Sequence, residues 1–286
     1  MASETTISFK GEKNVEGTDT GHRKSRFTVV LCVSASGRVV KALIIFKGLK
    51  KAPPNLKLPR NIAVSVSHGG TMNTALMKTW ISACFKSRGP FLARTKSVLF
   101  MDSYGSHLKL EVQEFLKGET NTTAVIIPPK TTYFLQPLDV SVNYPFKQAL
   151  RGNWEAWLKD GPKEYTPKGY RKRPSYQAVI DMVSLALDSL KAEAIQKAFT
   201  CCGIDAQGKA VPLASLNHNL RAVLSCSEEG ISFNPTTNPF QIQGLEDEDD
   251  EEQSDSEDVV PLSADDQDDD DYFFNEYSDS DSSDSE

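Results

Sequence analysis

Two kinds of hydrophobic pattern alternate along this chain. Runs of about four to eight apolar and β-branched residues read as strands, and stretches with apolar positions at helical spacing read as helices. Residues 27–33 (Phe-Thr-Val-Val-Leu-Cys-Val) and 39–46 (Val-Val-Lys-Ala-Leu-Ile-Ile-Phe) flank Ser34-Ala35-Ser36-Gly37 and predict a β-hairpin. A short strand is expected at 62–66. Thr71-Met72-Asn73 then opens a helix carrying Leu76, Met77, Trp80, Ile81, Cys84 and Phe85, a stripe that makes Met77 and Trp80 core residues. The run 98–101 is expected to be the central strand, and 108–116 the helix that returns behind it. Residues 124–127 form the next strand, parallel to its predecessor because a helix joins them. Val142, Phe146, Leu150, Trp154, Trp157 and Leu158 predict a helix over 140–158, with Lys147 and Arg151 off the stripe. After a basic, Gly- and Pro-rich break at 161–174, one long helix is predicted over 176–198, closed by Ala198-Phe199-Thr200-Cys201-Cys202-Gly203-Ile204 with Gly203 as its cap. Residues 213–224 predict a last short helix. Strands that alternate with helices in this way indicate an α/β fold.

Two acids stand where a strand or apolar run gives way to a turn. Asp102 ends the 98–101 strand, and Asp139 follows Pro128-Pro129 one residue ahead of the next helical run. A single Asp in such a place commonly serves a turn or a cap. A strand end also holds a carboxylate rigidly while the loop leaves its oxygens open, so two such acids can clamp a hard divalent cation.

Charge sharpens the picture. The formal net charge is −7, yet residues 246–286 carry 21 acidic residues and no Lys or Arg. That leaves 18 of the 39 acids against all 32 basic residues in 1–245, a net of +14. A basic body suits a phosphate-rich partner, since neutralised phosphates release counterions. Lys47, Lys50, Lys51, Lys57 and Arg60 crowd one Pro-punctuated loop, which is either simply solvated or a phosphate-contacting surface. The five cysteines, Cys32, Cys84, Cys201, Cys202 and Cys226, are odd in number and unsuitably spaced for a disulfide framework or a zinc knuckle, which points to a reducing compartment. No signal segment opens the chain, and no apolar stretch reaches the ~18 residues of a membrane span.

The wording around both acids resembles the pogo/Tigger-type transposases. Met101-Asp102-Ser103-Tyr104-Gly105-Ser106-His107 is similar to the block around their second catalytic aspartate. Pro128-Pro129-Lys130-Thr131-Thr132-Tyr133-Phe134-Leu135-Gln136-Pro137-Leu138-Asp139 is similar to the block that leads into the third, and 36 residues separate the two acids. The Phe-x-x-Cys-Gly-Ile ending at 199–204 also resembles the family. The resemblance covers roughly residues 5–205. It implies an RNase H-like DDE nuclease domain, a mixed sheet flanked by helices, with Asp102 and Asp139 as catalytic, metal-holding residues for Mg²⁺ or Mn²⁺ and DNA as partner. It would make the hairpin strands the second and third of the family's sheet.

The family's first acid belongs to an Asp-Glu-Thr block upstream of the 27–33 strand. Either Ser3-Glu4-Thr5 is that block, with Ser3 in place of the acid, or the block is lost by truncation. The second placement is favoured because Phe9-Lys10-Gly11-Glu12-Lys13 fits a later family segment. Asp19, in a turn-like Gly-Thr-Asp-Thr-Gly setting, is no substitute. His107, five residues after Asp102, either lines the site or starts a helix. The helix-turn-helix region that precedes this domain in the family is also expected to be missing.

The organisation expected is a DDE domain lacking its first catalytic strand over 1–205, a short helical extension over 206–245, and a disordered acidic Ser/Asp/Glu tail over 246–286. Ser254, Ser256, Ser278, Ser280, Ser282, Ser283 and Ser285 sit among acids, a context for an acid-directed kinase of the casein-kinase type. The function expected is that of a nuclear, transposase-derived nucleic-acid-binding protein, its weak or vestigial metal site catalytically degenerate. Two alternatives stand beside it. One is an active metal-dependent endonuclease or strand transferase; the other is a chromatin protein whose tail binds histones or folds back on the basic body.

Overall fold

The structure is a computed structural model that describes residues 26–167 and 171–228. Ser3, Asp19 and the acidic tail therefore lie outside the described residues, as do the expectations attached to them.

The hairpin forms as its pattern predicts. Strand β1, Phe27–Val30, runs antiparallel to β2, Ala42–Lys47, pairing Phe27 with Phe46 and Val30 with Leu43. Gly37, at φ +87°, makes the turn, where a Cβ would stand 2.8 Å from the carbonyl oxygen of Ala192. Glycine is required there both by the left-handed backbone and by that close approach. Strand β3, Ile62–Ser67, adds to β2 in parallel.

An unbroken apolar strand should be covered on both faces, and β2 is. Leu43 and Ile45 face one core, with Leu76, Met77 and Trp80 of α1 (Thr74–Trp80). Ala42, Ile44 and Phe46 face a second core built on two long helices introduced below. Helix α1 starts at Asn73, whose side chain accepts from the Leu76 N–H, and continues into a π-helical turn, Ile81–Phe85. The wider turn lets Trp80, Ile81, Cys84 and Phe85 all enter the first core. A short 3₁₀ turn, Lys86–Arg88, and a five-residue helix, α2 (Pro90–Arg94), follow.

Strand β4, Ser97–Met101, is joined through α3 (Gly105–Leu108) and α4 (Leu110–Thr120) to β5, Thr122–Ile126. The two strands pair in parallel from Ser97↔Thr122 to Met101↔Ile126, as a helical crossover requires. Met101, Val112 and Leu116 join the first core. Among the described residues β4 pairs with β5 alone, and β1–β3 form a separate sheet. The expectation of a central strand at 98–101 is thus corrected: among the described residues one edge of β4 has no strand partner, and Val98 is 54% exposed.

After β5 come α5 (Thr132–Leu135), a π-helical turn (Leu138–Val142) and α6 (Asn143–Asp160). The predicted long helix is in fact two, α7 (Tyr176–Asp188) and α8 (Ala192–Cys201), with Lys191 extended at φ −83°, ψ 133°. The break has a packing cause. Helix α7 sends Val179, Ile180 and Val183 into the second core with Phe146 and Leu150 of α6, whereas α8 sends Ile195, Ala198 and Phe199 into a third cluster with Val142. One straight helix cannot face both. Gly203, at φ +75°, closes α8, with Ile204 N–H donating to Phe199 O and Gly203 N–H to Thr200 O.

The basic break before α7 is partly structural. Arg171 donates to the carbonyls of Leu158 and Trp157 at the end of α6, and its guanidinium lies 4.6 Å above the Trp157 ring. A 3₁₀ turn, Leu213–Ser215, and α9 (His218–Glu228) end the described chain, and Asn217 Nδ2 donates to Phe134 O and Cys201 O. No helix among the described residues is long and apolar enough to cross a membrane.

Ile44 is fully buried in the strand that both cores share. Ile44→Ala should cost about 2–5 kcal/mol in urea unfolding, whereas Val98→Thr should stay within about 0.5 kcal/mol. Equal effects would contradict the assignment of β2 as the shared strand.

Candidate functional site

Asp102 is where β4 leaves the ladder. Leu99 and Met101 point into the first core, so the two-residue period of the strand turns Asp102 to the other side. Ile127 N–H donates to Met101 O at 2.7 Å and keeps the end of β5 beside that carboxylate. The acid is firmly held: its Oδ1 lies 2.6 Å from His107 Nδ1 and accepts the Tyr104 N–H at 3.3 Å.

Asp139 arrives by a different route. Pro128 and Pro129 stop β5, Lys130 takes a left-handed φ of +62°, and Thr131 Oγ1 donates to Pro128 O at 2.7 Å to hold the turn. Pro137, with φ −54°, pre-sets the helical backbone of the π turn. Within that turn Leu138 and Val142 pack into the third cluster against α8, which leaves Asp139 facing outward. Its Oδ1 accepts from Asn143 Nδ2 at 2.8 Å, one helical turn on.

The structure brings the two acids near enough to feel each other's charge. The hydrogen bond from His107 is the main cause that holds the Asp102 carboxyl below the usual range, against the opposing effect of burial. Asp139 is pushed above it, first by desolvation and further by the negative charge of Asp102, with the Asn143 bond and Lys147 pulling the other way. The two carboxyls are thus pushed in opposite directions. Oδ1 of each is engaged by a donor, and among the described residues Oδ2 of each has no hydrogen bond. Two open, mutually repelling carboxylate oxygens are a donor set that suits a small divalent cation, which commonly takes one or two carboxylates and completes its shell with water. Among the described residues no group of three or more His, Cys, Asp and Glu side chains could hold a metal.

His107 therefore turns its ring onto Asp102 and is more than a helix-start residue. Sequence reasoning missed Asn143, whose signal was its spacing, four residues after Asp139 on a helix. Cys202, the cysteine of the Phe-x-x-Cys-Gly-Ile ending, has its thiol pushed up to about 12, mainly by burial and partly by Cys201 and Asp139. Cys32 and Cys84 are buried thiols pushed up to about 12 and about 11, as their apolar settings suggested.

The family described as DDE superfamily endonuclease matches residues 24–199. The mouse and human proteins called pogo transposable element with KRAB domain are each 29% identical over 204 residues, 71% of this chain and 33% of theirs. The human pogo transposable element with ZNF domain is 28% identical over 132 residues, 46% of this chain and 9% of that protein. The chain thus spans about a third of the length of the first two relatives. No solved structure matches it significantly.

The opposite pKa directions separate the two acids in metal-free buffer. A lowered pKa contributes stability that is present above the unfolded value and lost as pH falls through the folded one. A raised carboxyl pKa does the reverse, so stability falls as pH rises from the unfolded value through the folded one. At pH 7 Asp102→Asn should therefore melt below the parent and Asp139→Asn above it, and the Asp139→Asn advantage should vanish below the ordinary aspartate range. Thermal melts followed by circular dichroism decide this, and the same sign for both variants would refute the assigned environments.

Proposed function

The chain belongs to the DDE superfamily endonucleases, in their pogo-type branch and with their RNase H-like fold, and from that we propose that it is a transposase-derived nucleic-acid-binding protein with a degenerate nuclease centre. Asp102 and Asp139 are the residues that would hold Mg²⁺ or Mn²⁺. The observation that supports this reading is that the charge of Asp102 reaches Asp139, each acid having its Oδ1 engaged by a neighbouring side chain. When bound, the cation supplies Lewis-acid polarisation of a phosphate oxygen and acidifies a coordinated water.

The protein's own groups do the rest. Asp102, held by His107, offers a fixed anionic ligand. Asp139, held by Asn143, offers a second whose repulsion from the first favours a shared cation. Lys147 is close enough to Asp139 to lower its pKa, and its charge also suits an approaching phosphate. Away from the acids, Lys47 at the end of β2 and Lys50, Lys51, Lys57 and Arg60 on the loop after it are all exposed. Gln177 of α7 pins that loop by bonding both the N–H and the carbonyl of Lys57. Five exposed cations within this short stretch support phosphate contact over a merely solvated loop.

Degeneracy rests on number. A three-carboxylate centre clamps two ions, whereas the described residues provide two carboxylates with no third beside them. Members of a catalytic unit act together, so a centre with these two arms alone would lose most of the rate. The competing reading, an active endonuclease or strand transferase, draws support from Asp139 itself, an acid whose pKa is raised by desolvation and by the like charge of Asp102, as functional carboxyls often are. A DNA partner would place the protein in the nucleus. The acids of 246–286 would suit basic chromatin proteins such as histones, a role that rests on their charge alone.

Two readouts on the full chain test the proposal. DNA binding should weaken steeply with salt, and replacing Lys50 and Lys51 together by Ala should reduce the log–log slope by about 1–2. Nicking of supercoiled plasmid with Mn²⁺ should stay at background in the parent, Asp102→Asn and Asp139→Asn alike. Nicking by the parent that both substitutions abolish would establish the active enzyme instead.

A further inference from the structure

We propose that His107 is a positioning residue for the divalent cation held by Asp102 and Asp139: its Nδ1–H occupies Asp102 Oδ1 and so reserves Oδ2 for the ion. The inference rests on the cation site proposed above and adds the group that fixes its geometry.

A carboxylate at a strand end is free to turn about its last torsion and has two equivalent oxygens. Asp102 has lost that freedom. The 2.6 Å contact with His107 Nδ1 is short, as expected where the acceptor is ionised, and the weaker Tyr104 N–H bond falls on the same oxygen. With both donors on Oδ1, Oδ2 is the oxygen left to coordinate. A donor that bonds a carboxylate must carry its proton on that nitrogen, so the contact assigns the Nδ1–H tautomer.

His107 is itself braced from several sides. Its backbone N–H donates to Tyr104 O at 2.8 Å, and Gln113 Nε2 donates to its carbonyl at 3.1 Å. The Tyr104 ring meets the imidazole edge-on at 5.7 Å between centroids, and the Tyr104 hydroxyl donates to Met72 O at 3.1 Å, just ahead of α1. The side chain of His107 is only 18% exposed, against 42% for Asp102. A braced, half-buried donor behind an accessible carboxylate oxygen is the arrangement by which an outer group orients a metal ligand, and removing such a group commonly costs about 10–100-fold in metal affinity.

A turn-stabilising histidine would also be bonded, so the test turns on which nitrogen is needed. Asn at 107 can put its amide N–H near the Nδ1 position, whereas Gln puts it near Nε2. Mn²⁺ binding to the full chain, measured from the electron paramagnetic resonance signal of the free ion, is compared for the parent, Asp102→Asn, His107→Ala, His107→Asn and His107→Gln. Melting curves on the same samples report folding. About 10–100-fold weaker binding in His107→Ala and His107→Gln, with near-parent binding in His107→Asn, is expected. Parent affinity in His107→Ala, or equal losses in His107→Asn and His107→Gln, would overturn the positioning role while leaving the cation site standing. If His107→Ala does not fold, the contrast between Asn and Gln decides. If the parent binds no Mn²⁺, or Asp102→Asn binds as well as the parent, the site itself falls and the role of His107 with it.

Discussion

Strand β2 has no solvent face, and the rest of the domain is arranged around that fact. Leu43 and Ile45 require one cover and Ala42, Ile44 and Phe46 another. Helices α1 and α4 provide the first, α6 and α7 the second. Once α4 lies over the first core, it delivers the crossover that sets β5 parallel to β4. Once α6 lies over the second, the turn that starts it is fixed as well, with Leu138 and Val142 inward and Asp139 outward. Asp102 thus follows a strand whose Met101 is anchored in the first core, and Asp139 lies in a turn whose Leu138 and Val142 pack in the third cluster.

The site that results is electrostatically uneven. Asp102 is stabilised as an anion by His107, while Asp139 is partly desolvated beside that anion. Desolvation and the charge of Asp102 both work against the ionised form of Asp139. Functional centres commonly hold such groups at some cost in stability. The π-helical turn that carries Asp139 fits the same pattern, since such turns recur where a helix must re-aim a functional side chain.

Most of this architecture was legible in the sequence, because burial leaves a periodic trace. The hairpin, the β4–α4–β5 crossover, the stripe of α6 and the glycine that ends α8 are all written as local patterns. So were the two acids, first by their position after strand and turn signals and then by the motifs around them. What was not legible depends on contacts between distant segments. The stripe over 176–198 continues without a Gly or Pro, and only the separate destinations of Val183 and Ile195 break it at Lys191. That β4 has β5 alone as partner among the described residues is a matter of pairing, which periodicity does not encode, although the missing first strand of the family's sheet implied an exposed edge. Arg171 reads as one more cation in a basic break, and only the fold shows it bound to the carbonyls that end α6. His107 was visible as a residue near Asp102, but its bond to Oδ1 depends on the backbone turn between them.

The direct test of the carboxylate pair is a titration of Asp102 and Asp139 by carbon-13 resonance of the side-chain carboxyls, assigned with the two Asn variants and repeated with excess Mg²⁺. Without the ion, Asp102 should titrate below and Asp139 above the ordinary aspartate range, and Mg²⁺ should bring Asp139 down sharply. Ordinary, independent titrations that Mg²⁺ leaves unmoved would mean that the two acids form no shared site.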